Sequence, residues 1–189
     1  ERARAALTWL ARLHAMFWGG RADKAVAAGL SEHACFWSLV RRDIELGRMK
    51  PQDPLRLAAS GIHARLMADK MQTMCHGDVK GANIMWDEGT GVAFYDFQWF
   101  GKAPPSKDLA YFIGINGGGD EKELLSHYHA ELVKLLEAQG DEAPTFEYLW
   151  DSYCLAQADL CRWMTGGFAF GNTGLIFGHA KDLLRRLDG

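Results

Sequence analysis

Apolar residues recur at helical spacing along most of the chain. Ala6, Leu10, Leu13 and Phe17 fall on one line with Arg2, Arg4 and Arg12 off it, which predicts an amphipathic helix over Glu1–Trp18 that Gly19-Gly20 ends. Ser31 as an N-cap, followed by Phe36, Leu39, Val40 and Ile44, predicts a second helix over Ser31–Gly47. Asp53-Pro54 reads as an N-cap with proline at the first helical position. Leu55, Ala58, Ile62, Leu66 and Met67 carry that third helix to about Gln72. Ser106 starts another, through Ile113. Asp120–Gln139 follows, with Leu124, Leu125, Tyr128, Leu132, Leu135 and Leu136. Pro144 opens a helix over Thr145 to about Thr165, rich in aromatics, and Leu175–Leu187 closes the chain as a helix. Asn116-Gly117-Gly118-Gly119 reads as a flexible joint, because no Gly-Lys-Ser/Thr follows it. Gly166–Gly174 carries no basic residue and reads as a connection between helices.

The period changes between Cys75 and Tyr111. Ile84-Met85-Trp86 and Val92-Ala93-Phe94-Tyr95 are short apolar runs joined by the turn Asp87-Glu88-Gly89-Thr90-Gly91, which predicts a hairpin. Trp99–Pro105 reads as a loop. The fold class is therefore mainly α with one small β-hairpin.

That hairpin brings in chemistry. It holds Asn83 at the start of one strand and Asp96 at the end of the other, and in an antiparallel pair those ends lie side by side. An amide oxygen and a carboxylate are hard ligands, suited to Mg²⁺. Asp78 sits in the loop just before, free to meet a substrate hydroxyl. Phosphoryl transfer needs positioning and charge neutralisation more than covalent help, so one acid and two metal ligands form a sufficient minimum. Asp and Asn are also common turn residues. What carries the chemical reading is the order and spacing of the loop, the hairpin, the second aspartate and Asp108-Leu109-Ala110.

These residues resemble a known family. His76-Gly77-Asp78 followed by Asn83 matches the H-G-D-x-x-x-x-N loop of the protein-kinase-like phosphotransferases of small molecules. That superfamily includes aminoglycoside phosphotransferases, choline kinases and the ecdysteroid-kinase-like (CHK kinase-like) proteins. Asp96 matches the metal aspartate of the D-F-G position. Asp96-Phe97-Gln98 and Asp108-Leu109-Ala110-Tyr111-Phe112 are most similar to the ecdysteroid-kinase-like branch. Protein kinases usually carry Arg where Gly77 stands and Gly where Gln98 stands, which points away from a protein kinase.

The resemblance implies the C-terminal, catalytic lobe of a protein-kinase-like fold over residues 1–189, with the N-terminal lobe absent. It implies ATP-dependent phosphorylation of a small-molecule hydroxyl. In that scheme Asp78 orients and deprotonates the hydroxyl, and Asn83 and Asp96 hold the Mg²⁺ that bridges the ATP phosphates. His76 braces the loop through hydrogen bonds, and Asp108 supports it structurally. Lys80 stands where protein kinases have a lysine after the catalytic Asp. Two roles stay open for it: contact with the transferring phosphate, or a solvated loop lysine. Leu13-His14-Ala15 is similar to a helix that opens the C-terminal lobe, with His14 packed or capping. The family's N-terminal lobe carries a glycine-rich loop, a strand lysine and a helix glutamate. Residues 1–75 read as helices, contain no Gly-x-Gly-x-x-Gly, and put neither Lys24, Lys50 nor Lys70 in a strand-like run. The start at Glu1, without Met, points to a fragment, completed by a missing N-terminal lobe or partner chain and inactive without it. The branch favours a hydroxylated lipid-like or steroid-like substrate. The rival is a non-catalytic, pseudokinase-like module that binds a metabolite or a partner protein.

Composition narrows this further. The 189 residues suit one domain, and 48% hydrophobic with 12% aromatic content is globular rather than disordered. A net charge of −3 without a Lys/Arg stripe argues against a nucleic-acid partner. Cys35, Cys75, Cys154 and Cys161 lack C-x-x-C spacing and read as four buried, reduced thiols of a cytoplasmic protein. No apolar run approaches a membrane span. His127 and His129 read as solvent-facing. Phe36 and Trp37 line a substrate pocket or pack in the core.

Overall fold

The computed structural model describes residues 1–89, 91–116 and 119–188, with side chains up to residue 186. Eight α-helices and four three-residue strands are described: α1 Arg2–Met16, α2 Gly20–Ala27, α3 Asp43–Arg48, α4 Pro54–Met67, β1 Thr73–Cys75, β2 Ile84–Trp86, β3 Val92–Phe94, β4 Gly101–Ala103, α5 Ser106–Asn116, α6 Glu121–Gln139, α7 Phe146–Gly166 and α8 Thr173–Asp188. The result is an α+β lobe, mainly helical. None of its helices is long and apolar enough to cross a membrane.

Local signals set many of these elements. The Asp53 carboxylate accepts from the Leu55 and Arg56 amides, and Pro54 follows at the first helical position of α4. Asp120 caps α6 through the Glu123 amide, and Gly140 ends it in the left-handed conformation at φ 75°. Thr145 caps α7 through the Tyr148 amide. β2 and β3 pair antiparallel with Ile84 opposite Phe94 and Trp86 opposite Val92. In the connecting turn the Asp87 carboxylate accepts from the Gly89 and Gly91 amides. α7 is the central helix: Leu149, Tyr153, Ala156 and Leu160 are fully buried, and α3, α4, α5 and α8 all pack on it. α1 packs against α6 on the other side.

Several expectations need correction. No helix spans Ser31–Gly47. Residues 31–38 form a bridge at Ser31, bends and a turn instead, followed by a 3₁₀ turn at Leu39–Arg41 and the short α3. The backbone there is spent elsewhere. Ser31 O accepts from Lys102 N at 2.9 Å, Ala34 N donates to Lys102 O at 3.0 Å, and Cys35 N donates to Trp99 O at 3.2 Å. The segment thereby lines the edge of β4, with Cys35 at φ 69°. Trp37 becomes core at 0% exposure while Val40 and Ile44, expected inside, are 51% and 66% exposed. Trp99–Pro105 is not all loop, since β4 lies in it and pairs with β1. α2 follows Gly19 directly, and α4 stops at Met67. The joint expected at Asn116–Gly119 falls partly on 117 and 118, outside the described residues. Thr90 of the hairpin turn lies outside them too. Asn116 is the last residue of α5. His127 and His129 are half-buried: His127 Nε2 is 3.0 Å from Thr8 Oγ1, and His129 Nε2 is 2.8 Å from Pro144 O. The four thiols are unpaired, but Cys154 is only half-buried. Burial pushes the Cys161 thiol up to about 11.

One buried ion cluster went unread in the sequence. Lys107 Nζ donates to Asp159 Oδ2 at 3.0 Å and Arg162 Nε to Asp159 Oδ1 at 2.8 Å. Arg162 Nη2 also donates to Trp37 O at 3.0 Å, and Lys107 lies 4.2 Å over the Trp37 ring. Burial alone would raise the Asp159 carboxyl, but the two cations hold it below its ordinary value. The cluster ties α5, α7 and the 31–38 segment together. Removing one partner of such a set typically costs about 3–5 kcal/mol, because a charge is left buried and unpaired.

α8 is held by a titratable pair. Burial lowers the His179 imidazolium, but the Cys154 side chain and the Glu121 carboxylate, 2.9 Å from Nε2, push it up to about 9. The folded value exceeds the ordinary 6.5, so this contribution is fully present below about pH 6.5 and is lost as pH rises through about 9. Melting followed across that window is expected to show a fall in Tm that Glu121→Gln reduces. An unchanged fall in the variant assigns the pH dependence to another group.

Candidate active site

The loop His76–Asn83 runs from β1 to β2, and its backbone is held from below. Asp108, in the first turn of α5 and 0% exposed, accepts from His76 N at 2.7 Å through Oδ2 and from Gly77 N at 2.9 Å through Oδ1. His14 Nε2, from α1, lies 3.3 Å from Oδ2. Burial alone would raise the Asp108 carboxyl. The hydrogen bond from His14, with His76 nearby and the Gly77 amide, holds it below its ordinary value.

Gly77 is the tighter of the loop's two glycines. Its φ is +84°, and a Cβ there would stand 2.3 Å from Trp99 O and 2.8 Å from Cys35 N. A side chain of any size, including the arginine that protein kinases carry, has no space. His76 follows the same logic of backbone control. Its Nδ1 accepts from Asp78 N at 3.3 Å, so Nε2 carries the proton and donates to Tyr95 O at 3.0 Å. The ring packs between Phe94 and Phe97 at centroid distances of 5.5 and 4.6 Å.

Asp78 is 1% exposed. Its Oδ2 accepts from Lys80 Nζ at 2.7 Å and from Asn83 Nδ2 at 3.0 Å, while Asn83 Nδ2 also reaches Asp78 O at 2.9 Å. Its Oδ1 is buried and has no partner among the described residues. Burial pushes the Tyr111 phenol up, and the adjacent Asp78 carboxylate adds to that. His76, Asp78, Lys80, Asn83 and Asp108 thus form one hydrogen-bonded unit.

Asp96 stands apart from that unit. Tyr95 N donates to Asn83 O at 3.1 Å, so the hairpin pairing reaches Tyr95, and Asp96 comes one residue later at φ 64°. It is exposed, and Gln98 Nε2 lies 3.3 Å from its Oδ2. No hydrogen bond joins it to Asn83 or Asp78 among the described residues.

Three contributors were not singled out from sequence. Asn116 Nδ2 donates to Val79 O at 3.0 Å and fastens the loop to the end of α5. Tyr111 lies beside Asp78, and Tyr128 bonds His14 at 2.8 Å. Tyr111 did sit inside the Asp108–Phe112 motif, but nothing in its spacing marks a hydroxyl near an acid. A cavity of about 410 Å³, lined by Trp18, Met71, Pro144 and Tyr148 among others, includes none of the loop residues.

A lobe of this architecture with a buried, loop-borne carboxylate fits a kinase-like phosphotransferase. The chain belongs to the phosphotransferase enzyme family (APH), whose sequence model matches residues 1–150. That places it in the superfamily of aminoglycoside phosphotransferases and protein-kinase-like enzymes, which generally use ATP and Mg²⁺. Neither the curated proteins nor the solved structures give a match to the chain.

Gly77 and Gly140 both have positive φ, but around Gly140 a Cβ would meet nothing within 4 Å. Gly140→Ala is expected to cost about 1–2 kcal/mol, or roughly 2–8 °C in Tm. Gly77→Ala adds a backbone clash and is expected to lower Tm at least twice as far. Equal shifts in thermal melts would show that the loop relaxes around a side chain.

Proposed function

We propose that the chain is the catalytic lobe of an ATP-dependent kinase that phosphorylates a hydroxyl of a small molecule, of the CHK kinase-like type. The observation that carries this is Asp78 Oδ1, a buried carboxylate oxygen beside the Tyr111 phenol, with no hydrogen-bond partner within bonding distance among the described residues. Leaving such an atom unsatisfied is costly unless a ligand supplies the hydrogen. A substrate hydroxyl is that donor. Its proton passes to Oδ1, its oxygen forms the new bond to the γ-phosphorus, and the bond from that phosphorus to ADP breaks. Lys80 and Asn83 anchor Oδ2 and keep Oδ1 facing the acceptor. The Lys80 side chain is 41% exposed, which supports a second contact with the transferring phosphoryl group.

The donor set fits Mg²⁺. Asn83 spends its Nδ2 on Asp78, which leaves its amide oxygen, and the Asp96 carboxylate is exposed. Both are hard oxygen ligands. When bound, the metal neutralises charge on the ATP phosphates. Exposed Tyr95 and Phe97, on either side of Asp96, offer apolar surface for a nucleotide and a covering lobe. The described residues ahead of the loop are mostly helical, so in this reading the glycine-rich cover comes from another segment or chain.

An apolar acceptor, lipid-like or steroid-like, suits the aromatic cluster beside Tyr111. Phe36 packs on Tyr111 at 5.4 Å, on Trp163 at 5.0 Å and on Trp99 at 6.3 Å.

Two variants test the reading in the complete enzyme. Asp78→Asn is expected to lower turnover by about 10²–10⁴-fold while leaving ATP affinity nearly intact; unchanged turnover removes Asp78 from the chemistry. A thermal shift with MgATP is expected to shrink in Asp96→Ala. At about 100 times Kd such a ligand adds about 2.7 kcal/mol. An equal shift in both proteins would refute Asp96 as a metal ligand.

A further inference from the structure

We propose that Tyr128, on α6, is a positioning residue for Asp78, acting through His14 and Asp108 by fixing which ring nitrogen of His14 carries the proton. This rests on the phosphotransferase reading only for its effect on turnover.

Tyr128 and His14 are both 0% exposed. The Tyr128 hydroxyl lies 2.8 Å from His14 Nδ1, and His14 Nε2 lies 3.3 Å from Asp108 Oδ2. An ionised carboxylate can only accept, so Nε2 must hold a proton to bond it. A neutral imidazole has one N–H, which leaves Nδ1 as a buried acceptor in need of a donor. The Tyr128 hydroxyl is that donor. Burial, with Cys75 and Asp108 nearby, pushes its phenol well up, so it keeps its proton. The relay then runs from the Tyr128 O–H to Nδ1, from Nε2–H to Asp108, and from the amides of His76 and Gly77 to the same carboxylate.

Asp108 favours the Nε2–H form from one side and Tyr128 supports it from the other; the remaining contacts fix the ring's place. Thr73 Oγ1 donates to His14 O at 2.7 Å and holds the backbone. Cys75 shares the pocket, but its thiol points to the carbonyls of Ala103 and Pro104, at 3.6 and 3.4 Å. Without the Tyr128 hydroxyl, Nδ1 is left a buried acceptor with no donor, and Asp108 alone holds the Nε2–H form, so its share falls. In the remaining molecules a lone pair on Nε2 faces the Asp108 carboxylate. The amides that Asp108 holds would loosen, and the amide of Asp78 lies one residue further on.

Tyr128→Phe removes the hydroxyl and keeps the ring. In the parent chain, ¹⁵N spectra of His14 are expected to show a protonated Nε2 and a bare Nδ1. In Tyr128→Phe a mixture of tautomers is expected, with faster hydrogen exchange at the His76 and Gly77 amides. In the complete enzyme, kcat is expected to fall about tenfold or more with KM for ATP unchanged, as for other outer-layer partners. His14→Gln provides the second variant, since its amide donates to Asp108 whatever Tyr128 does. Adding Tyr128→Phe to it is expected to change little. A parent His14 protonated at Nδ1 overturns the proposal, and so does an unchanged tautomer in Tyr128→Phe. Undiminished effects of Tyr128→Phe in the His14→Gln background also overturn it. The spectra and exchange rates need no turnover. If Asp78→Asn leaves turnover intact while those signals move as expected, the kinase reading fails and the positioning role stands.

Discussion

The Asp108 carboxylate is the hinge of the structure. It lies fully buried at the start of α5, where the helix dipole favours an anion, and it collects two backbone amides of a loop far away in sequence. The backbone from which Asp78 projects is set by this, and Lys80 and Asn83 then orient its carboxylate. The loop cannot drift while both amides are held. The glycine between them must do without a side chain, because the loop is drawn against Trp99 and Cys35. Packing and electrostatics here are one constraint: the same close approach that excludes a Cβ brings the amides within bonding distance of the acid.

The second layer keeps that acid in place. α5 is fastened at its first turn by the ion cluster with α7 and at its far end by Asn116. α1 contributes His14, and the hairpin contributes the Tyr95 carbonyl that fixes His76. The loop that carries Asp78 is thus supported from four directions. Such a loop can hold an unsatisfied carboxylate oxygen, because strain or polarity stored at one atom is offset by the surrounding bonds.

How much of this was legible depended on the range of the signal. Caps at Asp53, Asp120 and Thr145 act within three residues, and the helices they open were placed from sequence. The hairpin was also readable, because its turn chemistry and alternation are local. Residues 31–47 misled for the opposite reason. Their apolar spacing suits a helix, but their amides and carbonyls find partners on β4 and at Gly77 and Trp99, which no local pattern announces. β1 and β4 are three residues each, too short for a period of two to register. The Lys107–Asp159–Arg162 cluster joins residues some fifty positions apart, and charges inside apolar stretches read as surface until their partners are seen. The candidate site was legible as a list of residues in order. Its wiring was not, and Asp96 stands further from the others than strand ends alone would suggest.

Lys107 and Asp108 are neighbours, yet they reach in different directions: one into the acid on α7, the other up to the loop amides. Moving this helix by a single position would put Lys107 under the two N–H groups or, in the other direction, Asp108 against Asp159. The segment from β4 to α5 therefore has a fixed length. Change by substitution can be absorbed at many of its positions, but gain or loss of one residue between Ala103 and Asp108 would reverse the sign of one contact and abolish the other.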